Sequence, residues 1–245
     1  MKKSHLIQLL MIFTILGCEK QSELILNVKK VNTNPTEELK IGTKNSGKIY
    51  EDEKFEVWRS CAGEWGGSIY FQDKKTKKIY GAISTCPVSV DKIDNIYYIS
   101  NNLNHMIGYS DIIEIKNPKE MTELKTIPKS EYNSGVVTRE YECRSNQGTK
   151  KLVDSIGISI ISSFISNNEL YSIITSSKEE KTTISKIQNG KFITILDLTK
   201  KIVLKSNPLI EKESSKRQKI IFTYPEKIGI IEINKNKIDL ILYEK

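Results

Sequence analysis

Beyond its first eighteen residues the chain holds three cysteines, Cys61, Cys86 and Cys143, and a single histidine, His105. One imidazole cannot build a two- or three-histidine zinc or iron site. A Ser-His-Asp or Cys-His system would have to pass through His105, and no G-x-S-x-G accompanies it. The run Asn101-Asn102-Leu103-Asn104-His105 reads as turn chemistry, so His105 is expected to be a hydrogen-bonded turn residue rather than a catalyst. No C-x-x-C occurs, which removes zinc ribbons and thioredoxin-type redox sites. The cysteines instead suit a disulfide. A hairpin turning near Asp73-Lys74 sets Cys61 opposite Cys86 at its open end, with Gly66-Gly67 able to shift that register through a bulge. Three pairings are open to three thiols, and Cys61–Cys86 is the one this geometry favours.

Around Cys61 lies the least ordinary segment, Trp58-Arg59-Ser60-Cys61-Ala62-Gly63-Glu64-Trp65-Gly66-Gly67, which gathers both tryptophans and one of the four arginines. Two readings are open. As a binding surface, Trp58 and Trp65 offer aromatic faces to a sugar or peptide, with Arg59, Glu64 and His105 as polar anchors. As packing, a tryptophan covers a disulfide while the glycines let strands approach closely. The residue types favour packing. Carboxylates such as Glu51, Asp52, Glu53, Glu56 and Glu64 are numerous enough for glycoside hydrolysis, but no spacing singles out a pair. Asp91-Lys92-Ile93-Asp94 falls short of a calcium loop, and there is no glycine-rich phosphate loop. The excess of 38 Lys+Arg over 30 Asp+Glu is nearly all lysine, dispersed among acids. A phosphate or nucleic-acid reader would favour forked arginine contacts. A solvated lysine surface is the expectation, with no nucleic-acid partner.

The start of the chain carries its own signal. Met1-Lys2-Lys3-Ser4-His5 is basic, and Leu6 to Leu16 is an apolar run broken by Gln8 and Thr14. That run is too short for the ~20 residues of a spanning helix and suits a signal peptide. It ends in Ile15-Leu16-Gly17-Cys18, and the polar Glu19-Lys20-Gln21-Ser22 follows at once. Here the chain resembles the bacterial lipoproteins, whose lipobox closes on a small residue and a cysteine. It departs from their pattern at Leu16, where a small residue is usual. The resemblance implies cleavage after Gly17, diacylglycerol attachment at Cys18, and a mature chain tethered to the membrane in the cell envelope. Two or more acyl chains hold stably where one does not. Glu19 in place of Asp removes the enterobacterial inner-membrane retention signal, which points to the outer membrane where a cell has one.

These features must sit on strands. Only two alanines, Ala62 and Ala82, occur in 245 residues, while β-branched residues abound, which argues against an all-α fold. Residues 1–17 are expected to be the signal peptide and 18–48 the anchor and polar tether, with a short edge strand near Leu24-Ile25-Leu26. A single all-β domain is expected over 49–245. Within it, Gly67–Phe71 and Lys78–Ser84 read as a hairpin, followed by strands at Ile96–Ser100, Asp111–Ile115 and Gly135–Cys143. Ile156–Ser166 and Leu170–Thr175 turn at Asn167-Asn168, and Thr182–Gln188 and Phe192–Asp197 turn at Asn189-Gly190. Lys219–Tyr224, Ile228–Ile233 and Lys237–Tyr243 form a closing meander. No stretch suits an amphipathic helix. Short antiparallel strands at this spacing imply propeller-like repeats or a β-sandwich. The recurring pieces Tyr109-Ser110-Asp111-Ile112-Ile113-Glu114-Ile115 and Gly190-Lys191-Phe192-Ile193-Thr194-Ile195-Leu196-Asp197 loosely resemble bacterial β-propeller proteins, without a WD or kelch motif.

The sequence therefore leads to a membrane-anchored lipoprotein with a non-enzymatic β-domain that binds an envelope protein, peptide or glycan. The rival is an envelope hydrolase acting on glycans through carboxylates. Neither reading calls for a cofactor or a metal.

Overall fold

A computed structural model describes residues 23–33, 47–61, 66–103, 108–126, 142–176, 178–200, 204, 208–224 and 227–244. Among them are eighteen strands, a single 3-10 turn at Pro118–Glu120 and no α-helix. The chain is all-β, as its composition requires.

The strands fall into four small sheets that follow one another along the chain, except that Thr122–Leu124 returns to the first sheet and Ile25–Val31 joins the fourth. The first holds β2 (Lys48–Glu51), β3 (Phe55–Arg59), β4 (Ser68–Asp73), β5 (Ile79–Ile83) and β9 (Thr122–Leu124). The second holds β6 (Pro87–Ile93), β7 (Ile96–Leu103), β8 (Tyr109–Ile115) and β10 (Lys150–Ile156). The third is a meander of β11 (Ser159–Ser166), β12 (Glu169–Ser176), β13 (Lys181–Gln188) and β14 (Lys191–Lys200). The fourth holds β15 (Leu209–Ser214), β16 (Arg217–Tyr224), β17 (Lys227–Asn234) and β18 (Lys237–Tyr243). All these pairings are antiparallel. The exception is β1 (Ile25–Val31), which pairs in parallel with β18, Ile25 opposite Lys237 and Val31 opposite Tyr243. The β-structure thus reaches back into the segment expected to be a tether, and β1 is the edge strand there.

Turn chemistry sets the hairpins. Asp94-Asn95, Asn167-Asn168 and Asn189-Gly190 all lie at positive φ, between 48° and 70°. This conformation matches the twist of two-residue hairpins and favours Asn, Asp and Gly. They join β6 to β7, β11 to β12, and β13 to β14.

Consecutive sheets pack face to face. Phe71, Tyr97, Ile99 and Ile113 fill the space between the first and second sheets. Ile112, Val153, Ile160 and Ile174 fill that between the second and third. Phe164, Ile173, Ile184, Phe222 and Leu240 do the same between the third and fourth. A middle sheet is therefore covered on both faces, and its strands lose the simple alternation of a half-buried sheet. Ile112-Ile113 and Ile173-Ile174 are such adjacent pairs, each sending one residue to either neighbour. The leading strands β6, β11 and β15 meet side chain to side chain. Lys212 on β15 reaches Asp91 on β6 and the Ser163 carbonyl on β11.

Candidate functional site

The described part of the tryptophan segment, Trp58 to Cys61 with Gly66 and Gly67, is tied into the first sheet and its junction with the second. Trp58, on β3, packs against Tyr70, Ile79, Leu124 and the buried free thiol of Cys143. Its indole nitrogen is buried and has no hydrogen-bond partner among the described residues. Arg59 donates from Nη1 to the Pro87 carbonyl at 2.5 Å, tying β3 to the start of β6. Cys61 and Cys86 are bridged, with their Cα atoms 4.5 Å apart. The bridge does not close one hairpin, as the sequence suggested. The β4–β5 hairpin pairs Ser68 with Ile83. Cys61 instead follows β3, and Cys86 sits at φ 51° in the crossing from β5 to β6. It fastens the first sheet to the second. Gly67 permits the approach, since a Cβ there would stand 2.3 Å from the Ser60 carbonyl oxygen. Glu64, Trp65, His105 and the acylation candidate Cys18 lie outside the described residues.

Beside this segment, Glu142 clasps the first sheet. Its Oε2 accepts from Ser60 Oγ at 2.7 Å, from Ser68 Oγ and from Tyr70 OH at 3.4 Å. Burial, together with this carboxylate, pushes the Tyr70 phenol up to about 12, so it stays a neutral donor. Asp52 braces the β2–β3 turn against β6 and β7. Burial alone would raise its carboxyl. Hydrogen bonds from Lys92 Nζ and Tyr97 OH, both at 2.6 Å, and from two backbone N–H groups outweigh that and hold it down at about 2.

The most buried charge pair lies where the leading strands meet. Lys212 Nζ donates to Ser89 Oγ at 2.5 Å, to Asp91 Oδ1 at 2.8 Å and to the Ser163 carbonyl at 2.8 Å. Those three bonds use all its hydrogens. Ser163 Oγ donates to Asp91 Oδ2 at 2.5 Å and receives a bond from Ser100 Oγ at 3.0 Å. Burial pulls the Lys212 ammonium below its usual range, opposed by Asp91. A serine beside a depressed lysine can be a nucleophile and its base. Here the Asp91 side chain is 0 % exposed and that of Lys212 is 15 %. Ser89 Oγ donates to Asp91 Oδ2 within β6, and the Lys212 and Ser163 donors are spent on neighbouring strands. The group is a structural knot.

An open concavity lies elsewhere, between β10 of the second sheet and the outer strands of the third. The cleft has a volume of about 430 Å³. Ser155, Ser176, Thr183, Ser185 and Thr194 supply hydroxyls, and Ile158, Ile174 and Phe192 supply an apolar face. Two carboxylates, Asp154 and Glu179, stand with Lys181 and Lys191 along its walls. Asp154 is paired with Lys151 at 3.2 Å and Glu179 with Lys181 at 2.7 Å. Both are open to solvent, at 54 % and 58 % exposure. Glycoside hydrolysis calls for one carboxyl in an enclosed apolar setting, and both of these stand in solvent beside a lysine. The carboxyl that burial does push upward is Asp111, which accepts from Asn101 Nδ2 and from Tyr109 OH at 3.1 Å. It lies behind the cleft wall, joined to it through Tyr109, Lys151 and Asp154. Among the described residues no three His, Cys, Asp or Glu side chains gather as a metal site would require.

None of the cleft residues stood out in the sequence. The available signal was the run Ser176 to Ser185, where hydroxyl residues occupy strand positions that a buried face would fill with aliphatics. Neither a protein-family model nor a curated protein matches the chain.

Proposed function

We propose that this protein is a cell-envelope lipoprotein, acylated at Cys18, whose β-domain is a non-enzymatic binding module held at the membrane by its lipid. The observation that carries the binding reading is the cleft between β10 and β14. It combines several hydroxyl groups with an apolar face, and its two carboxylates are solvent-exposed and ion-paired. The signal-like start ending in Gly17-Cys18 supports the address. The Cys61–Cys86 bridge supports export, because disulfides persist in oxidising compartments. Four small, mainly antiparallel sheets with converging leading strands favour a blade-like, propeller-type reading of the fold over a two-sheet sandwich.

The experiment is incubation of the purified acylated protein with isolated cell-envelope material, followed by sedimentation and mass spectrometry of the soluble sugars and peptides. A binding module co-sediments and releases nothing. Release of shorter glycans that stops in Asp154→Asn would replace this reading with the hydrolase.

A further inference from the structure

We infer that the cleft between β10 and the β13–β14 hairpin is a binding site for a neutral oligosaccharide; this rests on the binding-module reading and names its ligand class. The volume of about 430 Å³ falls within the range of small-ligand sites, roughly 300–1,000 Å³. Thr183 and Ser185 are buried in its floor, and their hydroxyls meet each other at 3.2 Å. A hydroxyl carries one donor and two acceptor sites, so this pair keeps hydrogen-bonding capacity toward the cleft. A sugar presents the same group in return.

Charge points the same way. Asp154 and Glu179 are balanced by Lys181 and Lys191, so the walls favour neither an anion nor a cation. Carboxylates accept from two neighbouring hydroxyls at once, an arrangement that sugar rings offer. Phe192, half-buried beside Ile158, supplies the flat apolar surface on which the C–H face of a pyranose can rest. A peptide added as a strand would read the backbone edge of β10 or β14 rather than the side chains between them. Here Thr183, Ser185, Phe192 and Thr194 present side chains from the faces of β13 and β14.

The test titrates the full-length protein in detergent with cellotetraose, chitotetraose and maltotetraose, using tetragalacturonate as the anionic control and an extended octapeptide as the peptide control. At least one neutral tetrasaccharide is expected to bind, with Kd below about 1 mM. Phe192→Ala should weaken it by about tenfold or more. Thr194→Lys, at an exposed position where folding is not at stake, should block it. Failure of all three neutral sugars to bind, or binding indifferent to both variants, overturns the inference. Peptide binding that depends on Phe192 overturns it too, while leaving the binding-module reading in place. Conversion of a bound tetrasaccharide to shorter products overturns the binding-module reading itself.

Discussion

Two polar regions of this molecule lie on adjoining strands and differ in one respect. In the knot of Lys212, Asp91, Ser89 and Ser163, every ammonium hydrogen and both carboxylate oxygens are used by neighbouring strands. In the cleft, Thr183 and Ser185 share a single hydrogen bond between their hydroxyls, and Asp154 and Glu179 stand in solvent. The first holds three sheets in one arrangement, because a half-satisfied buried network costs more than an apolar core. The second leaves bonding capacity for something the chain does not supply. Polarity alone does not mark a functional site; polarity left unspent at an opening does.

Substitutions should separate the two regions sharply. Lys212→Met leaves the fully buried Asp91 without its cation and should cost about 3–5 kcal/mol in urea unfolding. Replacing both members with apolar residues should recover part of that loss. If the single variant unfolds at the wild-type midpoint, the knot does not hold the sheets. Removing the bridge comes next. Cys61→Ser should cost about 3 kcal/mol for a closed loop of sequence separation 25, and reduction of the wild-type protein should reproduce the shift.

A smaller effect belongs to pH. The Asp52 carboxyl is held at about 2, below the unfolded value of about 3.9. Its contribution is therefore complete above the unfolded value and is lost as pH falls toward the folded one. Stability should decline through that window, and Asp52→Asn should flatten the decline. An unchanged acid limb in Asp52→Asn would show that the brace against Lys92 and Tyr97 contributes nothing. The smallest effect is expected at the cleft rim, where Thr194→Lys should change the unfolding free energy by no more than about 0.5 kcal/mol.

The same contrast explains what could be read in the sequence. Hairpins with Asn-Asn and Asn-Gly turns were legible because their turn residues have few other reasons to be there; β11–β12 and β13–β14 stand close to where they were expected. Strand β6 was missed although Asp94-Asn95 marks its turn, because Ser89 and Asp91 occupy inward positions where a strand normally shows aliphatics. Strand β15 was missed for the same cause: Glu211-Lys212-Glu213 reads as a solvated charge run, and only packing shows that Lys212 points inward. Of the expected strand Gly135–Cys143, the described part, Glu142-Cys143, is not strand, and residues 135–141 lie outside the described residues. The disulfide partners were found by a hairpin register that the fold does not use. Trp58 draws attention by rarity and lies half-buried against the Tyr70 cluster, whereas the cleft is lined with common serines and threonines that no spacing sets apart.

The proposed envelope address rests chiefly on the first eighteen residues, with the Cys61–Cys86 bridge as its second support. The direct measurement is to express wild type and Cys18→Ala in bacteria fed an alkyne-tagged fatty acid, then to determine the mass of the N-terminal peptide. The account predicts a tagged wild-type peptide beginning at Cys18 and carrying acyl chains, and an untagged Cys18→Ala protein that leaves the detergent phase. An unmodified Cys18, or equal tagging of both proteins, would contradict it.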